Sequence, residues 1–330
     1  MEYTGPTVFE LGENQALKQA VSIFKKVPST IVGSGDDAAV ISLADPRFVV
    51  TTDTLVQDHD FKLEFSSGYD LGFKAVASNI ADVVAMGARP IALTVAMVIT
   101  KSTTQAWLED FAKGLQAGLD ELAPTAEIVG GDLASGAQIV IAVAAHGELV
   151  GEPVLRSGAK PGDVVAVCGT LGKAAAGLDL LLHDDNTLAA SYPELVEVQL
   201  RPTPPVEFAL QGASLATAMM DISDSLALDA SRMAVASGVS INLHSSKLFG
   251  YQAVLELAAQ SVNSRGGVQV SEIDWVLFGG EDHSFLTTFP PDAELPRGFK
   301  VVGEVIATDE PMALLDGKPL QAKGWDSVSS

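Results

Sequence analysis

Residues 91–132, IALTVAMVITKSTTQAWLEDFAKGLQAGLDELAPTAEIVGGD, change period twice within one stretch of chain. Over 91–99 the large residues Ile91, Leu93, Val95, Met97 and Ile99 alternate with smaller ones, the pattern of a strand with one bulky face. A helix over about 105–122 follows, then a strand running into Gly130-Gly131-Asp132. Outward from this stretch, residues 13–27 place Leu17, Val21, Phe24 and Val27 on one helical stripe closed by Pro28. Residues 47–52 (RFVVTT) read as a strand ending at Asp53. Residues 69–86 read as a helix with Val76, Ile80, Val83 and Val84 inward, stopped by Gly87 and Pro90, and 138–149 as a strand that completes this half. The Gly- and Pro-rich run from Gly147 to Gly162 marks a junction, giving an N-terminal domain over 1–149 and a C-terminal domain over 150–330. Beyond it the pattern predicts strands at 163–168, 217–222, 239–243, 275–278 and 299–306. Helices are predicted near 173–182, after Pro202-Thr-Pro-Pro205, at 225–236 and near 251–262. Mixed strands and helices in both halves define two α/β or α+β domains.

A chain of 330 residues fits two domains at roughly 150 residues each. Hydrophobic residues make up 47% and charged ones 19%, enough to pack an interior. With 42 acidic against 20 basic residues the net charge is −22, which repels phosphate backbones and anionic lipids. A nucleic-acid or membrane-surface partner is disfavoured, and cations are the natural counterpart. The apolar runs fall far short of the roughly 18 residues a spanning helix needs. MEYTGPTVFE carries neither the basic start nor the apolar stretch of a signal peptide, so the expected location is the cytoplasm. The single cysteine, Cys168, excludes an intrachain disulfide and any multi-cysteine metal site; in VVAVCGT it reads as a small buried hydrophobe.

Aspartates recur beside glycines and hydroxyls where apolar runs end: Gly35-Asp36-Asp37, Thr51-Thr52-Asp53, Gly130-Gly131-Asp132 and Asp221-Ile222-Ser223-Asp224. Any single Gly-Asp pair is ordinarily a turn, and Ser223 or Asp224 can cap the helix that follows. Asp82, in line with Lys74 and Ser78, reads by itself as part of a solvated helix face. Taken together, the four places put carboxylates on rigid elements. Two carboxylates 4 Å apart repel by about 1 kcal/mol in water and several-fold more in a cleft, so such a group calls for cations. Oxygen ligands without a His or Cys grouping favour Mg²⁺ or Ca²⁺ over zinc, and Mg²⁺ held by few carboxylates completes its shell with water and substrate phosphates. The chemistry implied is phosphoryl transfer. Gly169-Thr170-Leu171-Gly172-Lys173 lacks the spacing of a phosphate loop and reads as a strand-to-helix turn. No histidine pair has metal-binding spacing, and His59, within Asp58-His59-Asp60, reads as a surface residue. Arg156 is either a phosphate ligand or one half of a linker salt bridge.

Read in order, GDDAAV (35–40), TTDTLV (51–56), NIADVVAMGARP (79–90), GGDL (130–133), RSGAKPGD (156–163), MDISDSLALD (220–229) and GGED (279–282) resemble the thiamine-monophosphate kinase family over almost the whole chain. That family belongs to the aminoimidazole ribonucleotide synthetase superfamily. The resemblance implies a two-domain α/β fold whose N-terminal domain pairs into a dimeric eight-stranded barrel. It implies ATP-dependent phosphorylation of thiamine monophosphate to thiamine diphosphate, in a homodimer using several Mg²⁺ ions. Carried over by position, Asp36, Thr51, Thr52, Asp53, Asp82, Asp132 and Asp221 would hold metal, with Asp224 on a further ion. Gly131, Asp132, Arg156 and Ser223 would contact ATP, and Asp60, Glu281 and Trp325 would form the thiamine pocket. Asp53, Asp132 and Arg156 would carry catalysis. The chain departs from the family in Ser225, where Gly is usual and backbone freedom is expected to shrink, and in His283-Ser284 after GGED. The Gln57–Asp60 loop is also more acidic than usual, leaving open whether Asp60 or His59 meets the substrate. A superfamily relative activating another small phosphorylated acceptor, or a silent metal- or nucleotide-binding module, are the alternatives.

Overall fold

The computed structural model describes residues 4–32, 40–185, 187–266 and 269–325. The chain divides into two compact units, one running to Val84 and including Ala88–Val150, the other formed by Ala85–Gly87 and everything from Gly151.

The first unit contains α1 (Val8–Leu11), α2 (Glu13–Val21), β1 (Thr30–Val32), β2 (Val40–Ile41), β3 (Phe48–Val56), α3 (Gly68–Ala85), β4 (Ala88–Ile99), α4 (Gln105–Leu122), β5 (Glu127–Ser135) and β6 (Val140–Leu149). The helix predicted over 13–27 ends at Val21, six residues before Val27 and well short of Pro28. Its main sheet has the order β3-β6-β4-β5, with β4 and β5 parallel across the α4 crossover and the other pairs antiparallel. Residues alternate faces along a strand. Ile141, Val143 and Ala145 of β6 are buried, and Gly147 on the same face lies against α3, where a Cβ would stand 2.3 Å from a Val83 methyl. The opposite face carries Val50, 60% exposed, and the small residues Thr52, Thr54, Ala142, Ala144, Thr94 and Ala96. The helices α3 and α4 cross with their backbones in contact: a Cβ on Gly72 would meet the Phe111 carbonyl oxygen at 2.2 Å, and one on Gly114 the Tyr69 carbonyl oxygen at 2.0 Å. Thr104 caps α4 by accepting the Trp107 N–H.

The second unit contains β7 (Val164–Cys168), α5 (Lys173–Leu182), α6 (Thr187–Ser191), α7 (Pro193–Leu200), α8 (Val206–Ala213), β8 (Ala218–Ile222), α9 (Leu226–Ser237), β9 (Ser240–Leu243), α10 (Ser245–Gln252), α11 (Glu256–Ser264), α12 (Glu272–Phe278), β10 (Ser284–Phe289), β11 (Phe299–Ile306), β12 (Ala313–Leu315) and β13 (Lys318–Pro319). Its seven-stranded sheet runs β13-β12-β9-β11-β7-β10-β8, antiparallel except for the β12–β9 pair. Cys168 ends the interior strand β7 fully buried, and burial pushes its thiol up to about 12.

Two readings of the sequence are corrected here. Residues 275–278 form the second half of the helix α12, which Ser271 caps by accepting the Asp274 N–H. A short apolar run such as Trp-Val-Leu-Phe has no period of its own, and the cap and acidic first turn decide for helix. The single helix expected at 251–262 is two, α10 and α11, broken at 253–255.

Candidate functional site

In the first unit Thr51 and Asp53 alternate onto the face of β3 that meets α3, and the Thr51 hydroxyl donates to the Asp82 carboxylate at 2.7 Å. Asp82 therefore does not sit on a solvated face: Ser78 and Lys74, one and two turns before it, are buried, and its partner is a strand residue. Thr52 points the other way in register and donates to the Val143 carbonyl at 2.8 Å. Asp53 lies mid-strand, not at a strand end as the sequence suggested, because β3 continues to Val56. Asp132 likewise lies within β5, which continues to Ser135. The pairings Asp53↔Val143↔Val95↔Gly131 put Gly131 in the row of Asp53, so Asp132 falls in the next row, with Ala96, Ala142 and Thr54, on the open face. Gly131 is confined to glycine by its neighbour: a Cβ would stand 2.2 Å from the Val95 carbonyl oxygen. Asp36 and Asp37 lie outside the described residues.

The loop after β3 settles what Asp60 does locally. One oxygen of its carboxylate accepts the Val56 N–H at 2.8 Å and the other stands 2.9 Å from His59 Nδ1. Asp60 thus fixes the turn and orients the imidazole of His59.

In the second unit Asp221 is the penultimate residue of β8, and Ser223–Ser225 lead into α9. Asp229, one turn into α9, is fully buried and accepts the N–H groups of Asp224 and Ser225, both at 3.2 Å. Arg232 bridges Asp229 and Asp224. Burial, and then the charge of Asp221, raise the Asp229 carboxyl to about 6 against the pull of Ser225 and Arg232. Ser225 has φ 169°, extended backbone open to any residue, so replacing glycine there removes no needed freedom. The Gly279–His283 loop runs alongside: Glu281 N–H donates to the Ser223 carbonyl at 2.8 Å, and Gln199 of α7 donates to the Glu281 carboxylate at 2.6 Å. Glu281 and His283 both hold positive φ, 65° and 48°, costly for residues with a Cβ and imposed by this turn. His283 Nδ1 lies 3.5 Å from Asp221. Trp325 is 40% exposed, and its backbone N–H donates to the Asp224 carbonyl at 3.2 Å. Arg156 enters beside the start of β8, where Met219 N–H donates to Leu155 and the Ser237 hydroxyl to the Arg156 carbonyl. Ser223 is four residues further along, about 13 Å at about 3.3 Å per residue.

Asp229, Arg232, Asp282 and Gln199 escaped the sequence reading. Asp282 is buried at the N-terminus of α5, accepting the Thr170 hydroxyl at 2.6 Å and the Lys173 and Ala174 N–H groups at 3.3 Å, and burial raises its carboxyl. The helix end that a phosphate loop would offer is already filled by a carboxylate, which agrees with reading residues 169–173 as a turn. The only signal for this in sequence was the charge inside GGED. Asp282→Ala leaves that hydroxyl and both amides without an acceptor, and is expected to lower unfolding free energy by about 2–3 kcal/mol. A urea midpoint within error of the parent would contradict it.

Among the described residues no three His, Cys, Asp or Glu side chains are grouped to hold a metal ion. No described helix is long and apolar enough to cross a membrane. Residues 35–149 match the N-terminal domain of AIR synthase related proteins. The fold over that stretch is therefore that of an AIR synthase related protein. The thiamine-monophosphate kinase of Mycobacterium tuberculosis H37Rv is 39% identical over 326 residues, 98% of this chain and 93% of that protein. That of Corynebacterium glutamicum is 39% identical over 332 residues, covering 98% and 95%. Among solved structures, the thiamine-monophosphate kinase of Stenotrophomonas maltophilia K279a aligns with TM-score 0.79 and 29% identity over 92% of this chain and 97% of that one. AaThiL complexed with AMPPCP and TMP aligns with TM-score 0.74 and 30% identity over 98% and 99%. The chain belongs to the thiamine-monophosphate kinase family.

Proposed function

We infer that the protein transfers the γ-phosphoryl group of ATP to thiamine monophosphate, giving thiamine diphosphate and ADP. The observation that carries this reading is the 39% identity to thiamine-monophosphate kinases across nearly the full chain. The AaThiL complex, which holds AMPPCP, an analogue of ATP, together with TMP, supports the same pair of substrates.

The donors fit a hard cation. Asp53, Asp82 and the Thr51 hydroxyl share one face of the first unit, and Asp221 and Asp224 flank the end of β8 in the second. Mg²⁺ asks for only one or two carboxylates, with water and phosphate completing its shell, so a three-carboxylate cage is not required. We assign metal holding to Asp36, Thr51, Thr52, Asp53, Asp82, Asp132, Asp221 and Asp224, with Thr52 and Asp132, which face the other side of the sheet, serving a separate ion from Thr51, Asp53 and Asp82. Mg²⁺ bound there supplies neutralisation of the phosphate charge. The protein's own contribution is placement. Gly131, which cannot carry a Cβ, lets the backbone come close to the nucleotide, and Asp132 and Ser223 contact it. Arg156 offers a bidentate cation to the phosphates, at a distance from Ser223 that an extended nucleotide spans. The attacking phosphate oxygen is already ionised at neutral pH, so no side chain need remove a proton. Thiamine is read by Glu281, held by Gln199, and by the Trp325 ring, which suits a flat cationic heterocycle. Asp60 acts there through the imidazole it orients. Trp325→Ala is expected to raise KM for thiamine monophosphate about tenfold and leave KM for ATP unchanged, as steady-state kinetics would read. An effect confined to ATP would contradict the assignment.

The open face of the four-stranded sheet, with Phe48 and Val50 exposed above rows of Thr and Ala, supports a homodimer in which two such sheets close an eight-stranded barrel. We place the enzyme in the cytoplasm, with its two substrates. The deciding assay is ADP release from MgATP with and without thiamine monophosphate, with mass detection of thiamine diphosphate. Acceptor-dependent ADP with that product bears out the reading; ATP bound and left unused with this acceptor overturns it in favour of another phosphorylated acceptor.

A further inference from the structure

The hydroxyl of Ser225 serves two segments at once. It accepts the Leu228 N–H at 3.0 Å, capping α9, and donates to the Lys323 carbonyl at 2.7 Å, 98 residues further along the chain. The residue is fully buried, so neither bond competes with bulk water. The two backbones join again one residue before Ser225 and two after Lys323, where the Trp325 backbone N–H donates to the Asp224 carbonyl. Gly324 lies flat between these bonds: a Cβ on it would stand 2.8 Å from Ser225 Oγ and 2.9 Å from the Asp224 carbonyl oxygen. On the other flank the Lys323 ammonium stands 5.5 Å from the ring centre of Phe278, at the end of α12. Residues 323–325 thus form a strap laid along the loop 223–225. Capping a helix requires only an acceptor. The donor half of this hydroxyl is spent on the strap.

We propose that Ser225 is a positioning residue for acceptor recognition: its O–H clips the C-terminal strap to the Ser223–Asp224 loop and sets where the Trp325 ring stands relative to Asp224. This rests on the reading of Trp325 as part of the thiamine pocket. The clip ties the aromatic end of the site to the phosphate end without touching either substrate.

Two variants approach the clip from opposite sides. Ser225→Gly removes the donor while glycine still caps the helix tolerably, and Gly324→Ala pushes the strap off a loop that keeps its serine. Both are expected to speed hydrogen exchange of the C-terminal peptide containing Trp325 by about tenfold. Both should raise KM for thiamine monophosphate about fivefold, with kcat and KM for ATP within about twofold of the parent. Unchanged exchange in both variants overturns the clip. Faster exchange with unchanged KM for the acceptor overturns its positioning role, and equal losses toward both substrates with a lowered Tm reduce Ser225 to a helix cap. Should the parent fail to use thiamine monophosphate, the functional reading falls while the exchange measurement still decides the clip.

Discussion

The Asp53→Asn enzyme is expected to fold normally and to turn over at least about a thousandfold more slowly than the parent. Asparagine is nearly the same size and keeps the strand position that β3 and its partner β6 impose, so the core against α3 loses no volume. What goes is one negative charge on the strand face that also carries Thr51, whose hydroxyl donates to Asp82. A charge 4 Å from a cation is worth about 4 kcal/mol at the effective dielectric near a protein surface. That energy matters most where the phosphates carry their greatest charge, and about 4 kcal/mol corresponds to about a thousandfold in rate. A thermal melt beside a kcat measured over a wide Mg²⁺ range separates the effects. An unchanged Tm with a deep loss of kcat that high Mg²⁺ partly restores is the expected pattern, whereas activity within about tenfold of the parent would remove Asp53 from the metal site.

A large loss of stability is expected at Gly114. Its missing side chain is what lets α4 approach α3, since a Cβ would sit 2.0 Å from the Tyr69 carbonyl oxygen, an atom that cannot turn aside. The reciprocal gap at Gly72, 2.2 Å from the Phe111 carbonyl oxygen, shows that the crossing is tight from both helices. Gly114→Ala would have to move one helix by about an ångström, unpacking Phe111 and Leu115 from the core. Against that, alanine favours a helix interior by about 1 kcal/mol over glycine. Overpacking against backbone outweighs it, and a net loss of about 3 kcal/mol, or about 10 °C in Tm, is expected. A variant as stable as the parent would mean that the helices separate at little cost.

The long periodic elements were legible in the sequence: α4, α5 and β11 fall within a residue of their predicted bounds because each carries a clear period and a clear stop. α12 was not, because four apolar residues in a row carry no period, and the serine cap before them outweighs β propensity. β10 went unnoticed: Ser284, Thr287 and Thr288 interrupt its apolar pattern, although the sheet buries them fully. At the candidate site, the residues assigned to ligands could be named from motifs, whereas those that hold the surrounding loops could not. Asp229 and Asp282 act on backbone amides that are near in space and unmarked in sequence. The offset of Asp132 from Asp53, some eighty residues apart in the chain, depends on the three pairings β3–β6, β6–β4 and β4–β5, which no local pattern encodes.

The order of the second sheet bears on how the chain is made. β7 is its first strand in sequence, yet both its neighbours, β10 and β11, come from the last fifty residues. As the chain emerges from a ribosome, β7 waits with its hydrogen-bonding edges open until almost everything else has been synthesised. The first unit has no such wait, since its four paired strands are complete by Leu149. Non-local pairing of this kind is slow and leaves apolar surface exposed meanwhile. A premature stop before residue 284 would therefore release a chain whose β7 has no partner at all, a substrate for chaperones and proteases rather than a shortened enzyme.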